Sequence, residues 1–366
     1  MAKNPFKFGG VVEKPYFTDR AEEIKKIVSI LASDNHLIVI SPRRYGKTSL
    51  LNAAIKDLER PIISLDLQLV TAPEDFASQL LKRIYKIYTF EKIKELIKSF
   101  RVIPTIKINP MTNAADITFK PSSAESHIPL EDVFNLIEKL GKGKKKPAVM
   151  LDEFQEIKRI GKNLENYLRS VIQYHKNVNY VFLGSQESLI RDIFEKKKSP
   201  FYRFGILFPL EKIPREEFRV YLIGGLNKIT AGAGKLADEI LDITKSHPYY
   251  TQQLAFTVWE LLKGNKNLKT PIADAAAEIV RHHDIDYERL WNTLNRIDMK
   301  ILIGMAFTEI SPLSGEFTRQ FDTGAMSTVF SSIKRLMNSG LVIKTESGYE
   351  IDDPFFKNWI QVRRTG

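Results

Sequence analysis

The sequence predicts an α/β protein, a parallel sheet with helices on both faces, followed by helical sequence and a small C-terminal module. Three observations predict it. Short apolar runs alternate with helical patterns as far as residue 210, the mark of parallel strands joined by crossover helices. At residues 36–51, HLIVISPRRYGKTSLL, one such run breaks into a polar loop and resumes with Leu50, Leu51, Ala54, Ile55 and Leu58 on one helical face. Beyond Pro214, strand patterns stop until a single alternating hairpin near the C terminus.

Residues 41–48 match the pattern G-x-x-x-x-G-K-[ST] at every fixed position except the first, which is Ser41. Gly46 lets backbone approach an anion with no Cβ in the way, and the N–H groups of a helix start are aimed at phosphate. Lys47 supplies a mobile ammonium for β- and γ-phosphates, and Thr48 a hydroxyl for a bridging Mg2+. Ser41, Pro42, Arg43, Arg44, Tyr45, Gly46, Lys47, Thr48 and Ser49 are therefore the expected nucleotide cradle.

Ahead of the loop, Thr18 or Asp19 is placed to cap a helix reaching about Leu31, with Glu22 and Glu23 in its first turn. Behind it come a strand at residues 61–66 and a helical stretch at residues 73–99, with Phe76, Leu80, Leu81, Ile84, Ile87 and Tyr88 on one side. From residue 100 to 121 the period changes to two on either side of residues 111–114, which predicts an inserted β-hairpin.

A helix at residues 129–140 leads to a strand, PAVMLDE, whose two carboxylates fall at its C-terminal end, where open α/β sheets place their ligands. Asp152 suits a metal, directly or through water, and Glu153 suits the orienting of an attacking water. After a helix at residues 163–174, the strand at residues 179–184 ends in Ser185 and Gln186. These either reach a γ-phosphate or its attacking water, or form an ordinary turn. Arg203, ahead of a last strand at residues 206–210, is either an arginine finger, in its own subunit or a neighbour's, or a surface residue.

Helical patterns follow at residues 216–229, 235–245, 249–263 and 272–290, a region expected to form a lid over a nucleotide. Ser246-His247-Pro248 interrupts two of them, with Pro248 at a first helical position. The tail reads as helices at residues 298–307, 315–321 and 325–339, then a hairpin turning at Ser347 and Gly348. Three helices and a hairpin make a winged helix. Its third helix carries Lys334 and Arg335, and such a module contacts either duplex DNA or a protein.

The 366 residues include no Cys, which excludes disulfides, thiolate metal sites and Cys nucleophiles. There is no apolar run long enough to span a bilayer and no signal peptide at residues 1–10, so a cytoplasmic location without a membrane partner is expected. The formal net charge of +11 suits a polyanionic partner, although short basic runs such as residues 142–146 and 196–198 are often solvated loops.

FxDRxxEI at residues 17–24, SPRRYGKTSLL, VMLDEFQEI, LGSQES, SPFYRFG, SHPYYTQ and the terminal DPFFKNW together resemble the archaeal-type ATPases. That family belongs to the AAA+ class and is close to the STAND signalling ATPases and the replication-initiator ATPases. The resemblance implies an ATPase core over residues 1–212 with the hairpin inserted near 100–121, a lid over 213–293 and a winged helix over 294–366. It implies a switch driven by ATP and Mg2+, with Glu153, Lys47, Arg203 and Ser185 in catalysis and Thr48 and Asp152 on the metal. Phe17 and Arg20 would lie beside the adenine or ribose, with Pro248 against the base. The chain departs from the family's pattern at Ser41, where the first loop position is a glycine, and at Ser246, where a glycine often precedes His-Pro; both would slow hydrolysis if they strain the backbone. A GTPase is disfavoured, since Asn227-Lys228-Ile229-Thr230 lacks the Asp of the guanine-reading motif. The resemblance leaves the oligomeric state open, nucleotide-dependent assembly included.

Overall fold

The computed structural model describes residues 3–13, 15–17, 20–108, 115–119, 126–143, 145–265 and 268–364. The chain divides into a sheet unit, Ala21–Ser41 with Leu50–Leu210, and a helical unit, Met1–Arg20 with Pro42–Ser49 and Glu211–Gly366. No helix among the described residues is long and apolar enough to cross a membrane.

The described strands of the sheet unit are β1 (Leu37–Ile40), β2 (Ile62–Asp66), β3 (Thr105–Ile108), β4 (Ala115–Thr118), β5 (Ala148–Asp152), β6 (Asn179–Gly184) and β7 (Ile206–Pro209). Five of them form a parallel sheet in the order β2-β5-β6-β1-β7. Every residue of β1 and β6 is buried, as expected of parallel strands covered on both faces. Ile38, Leu65, Leu151 and Phe182 share one core with Phe76, Leu80 and Phe134, from the helices Pro73–Tyr85 and Ile128–Leu140. The register sets Ile40 beside Gly184 and Asp66 beside Asp152, so the C-terminal strand ends share one edge.

The helical stretch expected at residues 73–99 is two helices, Pro73–Tyr85 and Phe90–Ile97. Ile87, Tyr88 and Thr89 are poor helix formers, because branched and aromatic side chains lose rotamers against the preceding turn. The break turns Ile87 outward, 38% exposed, against its expected place beside Phe76, Leu80, Leu81 and Ile84, which are fully buried. The inserted hairpin is β3 and β4, antiparallel with Ile106 opposite Ile117. Its expected turn at residues 111–114, like the expected cap at Thr18 or Asp19, lies outside the described residues. A helix at Glu187–Phe194, which the sequence reading lacked, follows Gln186 and is laced by Arg191 pairing with Glu187 and Glu195.

In the helical unit, helices Arg215–Leu226, Ala233–Thr244, Pro248–Gly264, Pro271–His282 and Asp284–Asn292 bury Phe218, Leu241, Trp259 and Trp291 in a second core. The single helix expected over residues 272–290 breaks at His283, and Asp284 and Asp286 supply the acidic first turn that a new helix start favours. The C-terminal module has helices Arg296–Phe307, Gly315–Gln320 and Met326–Asn338, the first two capped by the side chains of Asn295 and Ser314. Antiparallel strands β8 (Val342–Thr345) and β9 (Gly348–Ile351) complete a winged helix. Their turn is Glu346-Ser347, one residue earlier than expected, because Gly348 is itself paired with Thr345. Helix Pro354–Arg363, capped by Asp353, buries Phe355, Phe356, Trp359 and Ile360 in the same core.

Candidate functional site

The phosphate loop bridges β1 and helix Lys47–Asp57. Arg44 and Gly46 both take left-handed backbone, φ 65° and 84°, and the alternation of hand is what turns successive N–H groups to one side. At Gly46 an added Cβ would meet nothing within 4 Å, so conformation rather than space demands glycine. At Arg44 the left-handed state costs about 1–2 kcal/mol. Its guanidinium contacts offset part of that: it donates to the Tyr250 hydroxyl at 3.1 Å and lies 4.8 Å from the ring centre of Tyr249. Lys47 is buried, with Nζ donating to the Pro42 carbonyl at 3.2 Å, and half-buried Thr48 is the second residue of the helix. Ser41 is buried and outside the left-handed region, so replacing the family's glycine brings no backbone strain there.

Within the helical unit a cavity of about 340 Å³ adjoins the loop, walled by Phe17, Arg44, Tyr45, Gly46, Pro248 and Tyr249. Arg20 also lines it, but its Nη2 reaches the carbonyls of Tyr45 at 3.4 Å and Glu211 at 3.1 Å. Part of the remaining wall comes from Lys7, Phe8, Gly9, Gly10 and Val12, which sequence reasoning missed. There the Lys7 N–H donates to Gln252 at 3.3 Å, the Phe8 ring meets Tyr249 and Phe256 edge-on, and the Val12 N–H donates to Ser49 Oγ at 2.8 Å.

Ser246, unlike Ser41, is left-handed, φ 58°, and Lys245 before it likewise at 48°. A glycine at Ser246 would fit this backbone without a penalty of order 1 kcal/mol. His247 caps the next helix through Nδ1, which accepts from the Tyr249 N–H at 3.2 Å. The ring proton therefore sits on Nε2, 3.6 Å from Asp352 Oδ1. Neither atom has a hydrogen-bond partner among the described residues. Burial, with Lys212 and Arg44 nearby, lowers the His247 pKa to about 3; burial, with Asp353 nearby, raises that of Asp352 to about 7.

The two shifts oppose each other. His247 contributes stability that is lost as pH falls from 6.5 toward 3, whereas Asp352 contributes stability that is lost as pH rises from 3.8 through 7. Each slope approaches about 1.4 kcal/mol per pH unit, and between about pH 4 and 6.5 they cancel. Relative to the unmodified chain, Asp352→Asn should therefore gain stability as pH rises through that window, and His247→Gln should lose it. Urea unfolding at the two ends of the window checks the signs, and parallel behaviour of both variants would refute the assignment.

In the sheet unit, Glu153 follows β5 in left-handed backbone, φ 51°. Strain of this kind persists where the surroundings fix it. One carboxylate oxygen, Oε2, accepts from Ser185 Oγ at 2.7 Å, from the Ser185 N–H at 3.3 Å and from Gln155 Nε2. Gln155 is buried and was not anticipated; its side chain passes over Gly184, where a Cβ would lie 2.6 Å from its Oε1. Asp152 Oδ1 accepts from the Glu153 N–H at 2.9 Å. Gln186 supplies the helix start after Ser185 without a side-chain cap. Arg203 is exposed, left-handed at φ 52°, and stacked on Tyr202, with no carboxylate partner among the described residues. No three His, Cys, Asp or Glu side chains converge among the described residues. The carboxylate of Asp152 is a hard oxygen donor of the kind that suits Mg2+, and so, in the phosphate loop, is the hydroxyl of Thr48.

On the winged helix, Lys334 is exposed, whereas Arg335 is paired bidentately with Asp298, at 3.0 and 2.7 Å, and Ser332 donates to the same carboxylate. The same helix exposes Met326 (42%) and Phe330 (56%).

A parallel sheet carrying a Gly-Lys-Thr loop after one strand and an acidic pair at the C-terminal end of another defines a P-loop nucleotide-binding protein. The chain belongs to the family of ATPase domains predominantly from Archaea, whose model matches residues 17–254. Residues 285–362 match a "probable winged helix domain". Among solved structures, a Walker-type ATPase of Pyrococcus abyssi is 17% identical, with 98% of this chain and 99% of that chain covered and a TM-score of 0.70. The ORC2 protein of Aeropyrum pernix, in its ADPNP–ADP complexes, is 14% identical, with 99% and 100% covered and a TM-score of 0.57. Both show the fold. No curated protein is significantly similar to the chain in sequence.

Proposed function

We propose that the chain is an ATP-hydrolysing molecular switch. The observation that carries this reading is the cavity of about 340 Å³ that adjoins the phosphate loop, a volume in the range of small-molecule sites. Residues 41–49 cradle the phosphates, and Phe17, Arg20 and Pro248 flank the nucleoside. Lys47 neutralises the terminal phosphates. Thr48 and Asp152 would hold Mg2+, which when bound offsets phosphate charge. Glu153 orients the attacking water, Ser185 and Gln155 fix its carboxylate, and Arg203, which leads into the N-terminal end of β7 on the edge of the sheet opposite Glu153, reaches the phosphate of a neighbouring copy rather than its own. The working divisions are a core over residues 1–212, a lid over 213–293 and a winged helix over 294–366, with nucleotide state read out by the last two.

For the winged helix, protein contact is favoured over DNA. Arg335 is committed to Asp298, Met326 and Phe330 are exposed on the helix that would enter a groove, and residues 294–366 hold nine Lys and Arg against eight Asp and Glu. Phosphate release from ATP, measured with and without Mg2+, tests the enzymatic reading. Mg2+-dependent release is expected; tight ATP binding with none would leave a nucleotide-binding protein that signals without hydrolysis.

A further inference from the structure

The positive charge of the chain is unevenly placed. Residues 1–200 carry 34 Lys and Arg against 24 Asp and Glu, whereas residues 201–366 carry 21 against 20. The sheet gathers much of this excess. Because β1, β2, β5, β6 and β7 are all parallel, the segments leading into them share its N-terminal edge, opposite the edge that ends in Asp152 and Ser185. Those segments are residues 33–36, 58–61, 141–147, 173–178 and 195–205, and their described residues include nine Lys and Arg against three Asp and Glu. Backbone bonds hold the longest of them there, from the Arg203 N–H to the Phe194 carbonyl at 3.0 Å and from the Ile206 N–H to the His36 carbonyl at 2.8 Å.

Some of these cations are already engaged. Arg60 donates to the carbonyls of Leu31, Lys146 and Pro147, while Lys145, Lys146 and Lys196 pair with Glu59, Asp34 and Asp192. Lys142, Lys176, Lys197, Lys198 and Arg203 remain, all exposed and without a carboxylate partner among the described residues. Tyr174, 76% exposed, stands two residues from Lys176. From β5 to β7 is three interstrand steps, about 14 Å of edge at the usual strand spacing. Uncompensated ammonium groups spread over such a width repel one another and attract a polyanion, and an exposed aromatic ring among them offers a face to an unstacked base. Among the described residues of these segments, Tyr174 is the one exposed large hydrophobic side chain, which disfavours insertion into a lipid surface.

We propose that the N-terminal edge of the parallel sheet is a contact surface for the phosphate backbone of a nucleic acid. It lies at the opposite end of the strands from the acidic pair and does not depend on ATP hydrolysis.

The test is fluorescence anisotropy with a labelled duplex and a labelled single strand of about 20 nucleotides, each at about 50 and 200 mM salt, without nucleotide. Two triple variants lose the same charge. One is Lys142→Ser, Lys176→Ser, Lys197→Ser on the sheet edge, and the other is Lys228→Ser, Lys334→Ser, Lys344→Ser in the lid and winged helix. The unmodified chain should bind at least one probe at low salt, and the edge variant should flatten the slope of log affinity against log salt by about 2–3, since each phosphate contact contributes roughly 0.7–0.9. The lid and winged-helix variant should keep the slope. A single strand bound in preference to the duplex would assign Tyr174 to base stacking and supports the proposal. A slope lost only in the second variant, or no binding of either probe at low salt, overturns it. So does edge-dependent binding to phosphatidylserine vesicles without binding of nucleic acid, which would make the edge a membrane contact. Thermal melting and ATP binding of the edge variant serve as folding controls.

Discussion

Lys47→Ala is expected to weaken ATP binding by about a hundredfold or more, with little change in thermal stability. The ammonium donates to a neutral acceptor of the loop, the Pro42 carbonyl, at 3.2 Å. Exchanging that carbonyl for phosphate oxygens replaces a bond in which only the donor is charged with bonds in which both partners are, each worth about 1.5–3 kcal/mol. Two such bonds account for a hundredfold in affinity, since every 1.4 kcal/mol is tenfold. Stability should hold because Lys47 opens a helix and Ala is the best helix former. Calorimetric titration with ATP reads the affinity. An unchanged dissociation constant would place the nucleotide away from residues 41–48 and would remove the basis for the cavity's assignment.

The parts of this site that could be read from the sequence are those whose residues are neighbours along the chain. The loop is one contiguous segment, so its pattern survives whatever the rest of the fold does. The strands β1, β5 and β6 are apolar runs too short for helices and end in polar residues, which fixes both their type and the position of Asp152, Glu153 and Ser185 at strand ends. Contacts between distant segments leave no such trace. Nothing in KFGGV at residues 7–11 announces that it seats against Tyr249 and Gln252, because an irregular segment has no periodicity and its partners lie far along the chain. Arg335 shows the same limit: an exposed helix position suggested DNA contact, and only the fold reveals Asp298 opposite it. Ile87 failed for a local reason, since apolar spacing alone does not register that Ile, Tyr and Thr in succession end a helix. The two serines at glycine positions looked alike in the sequence, and backbone conformation separates them, Ser246 left-handed and Ser41 not.

Glu153→Gln is expected to bind ATP normally and to hydrolyse it about a hundred- to a thousandfold more slowly, within the range contributed by a positioned general base. Oε2 of Glu153 faces three donors, two from Ser185 and one from Gln155. A glutamine there can satisfy them only with its carbonyl oxygen in the Oε2 position, so its amide nitrogen must take the place of Oε1. The left-handed turn and the contacts beneath it are then preserved, but the outward atom has changed from an acceptor to a donor and no longer attracts a water proton. Binding and chemistry should therefore separate: an unchanged dissociation constant for ATP, and a fall in kcat. Ser185→Ala distinguishes holding the carboxylate from direct contact with phosphate. If Ser185 acts only through Glu153, the double variant should be no slower than Glu153→Gln alone, whereas a further loss would mean that its hydroxyl also meets the γ-phosphate. Undiminished turnover in Glu153→Gln would move the base elsewhere and leave the left-handed turn at this position a structural feature without a catalytic role.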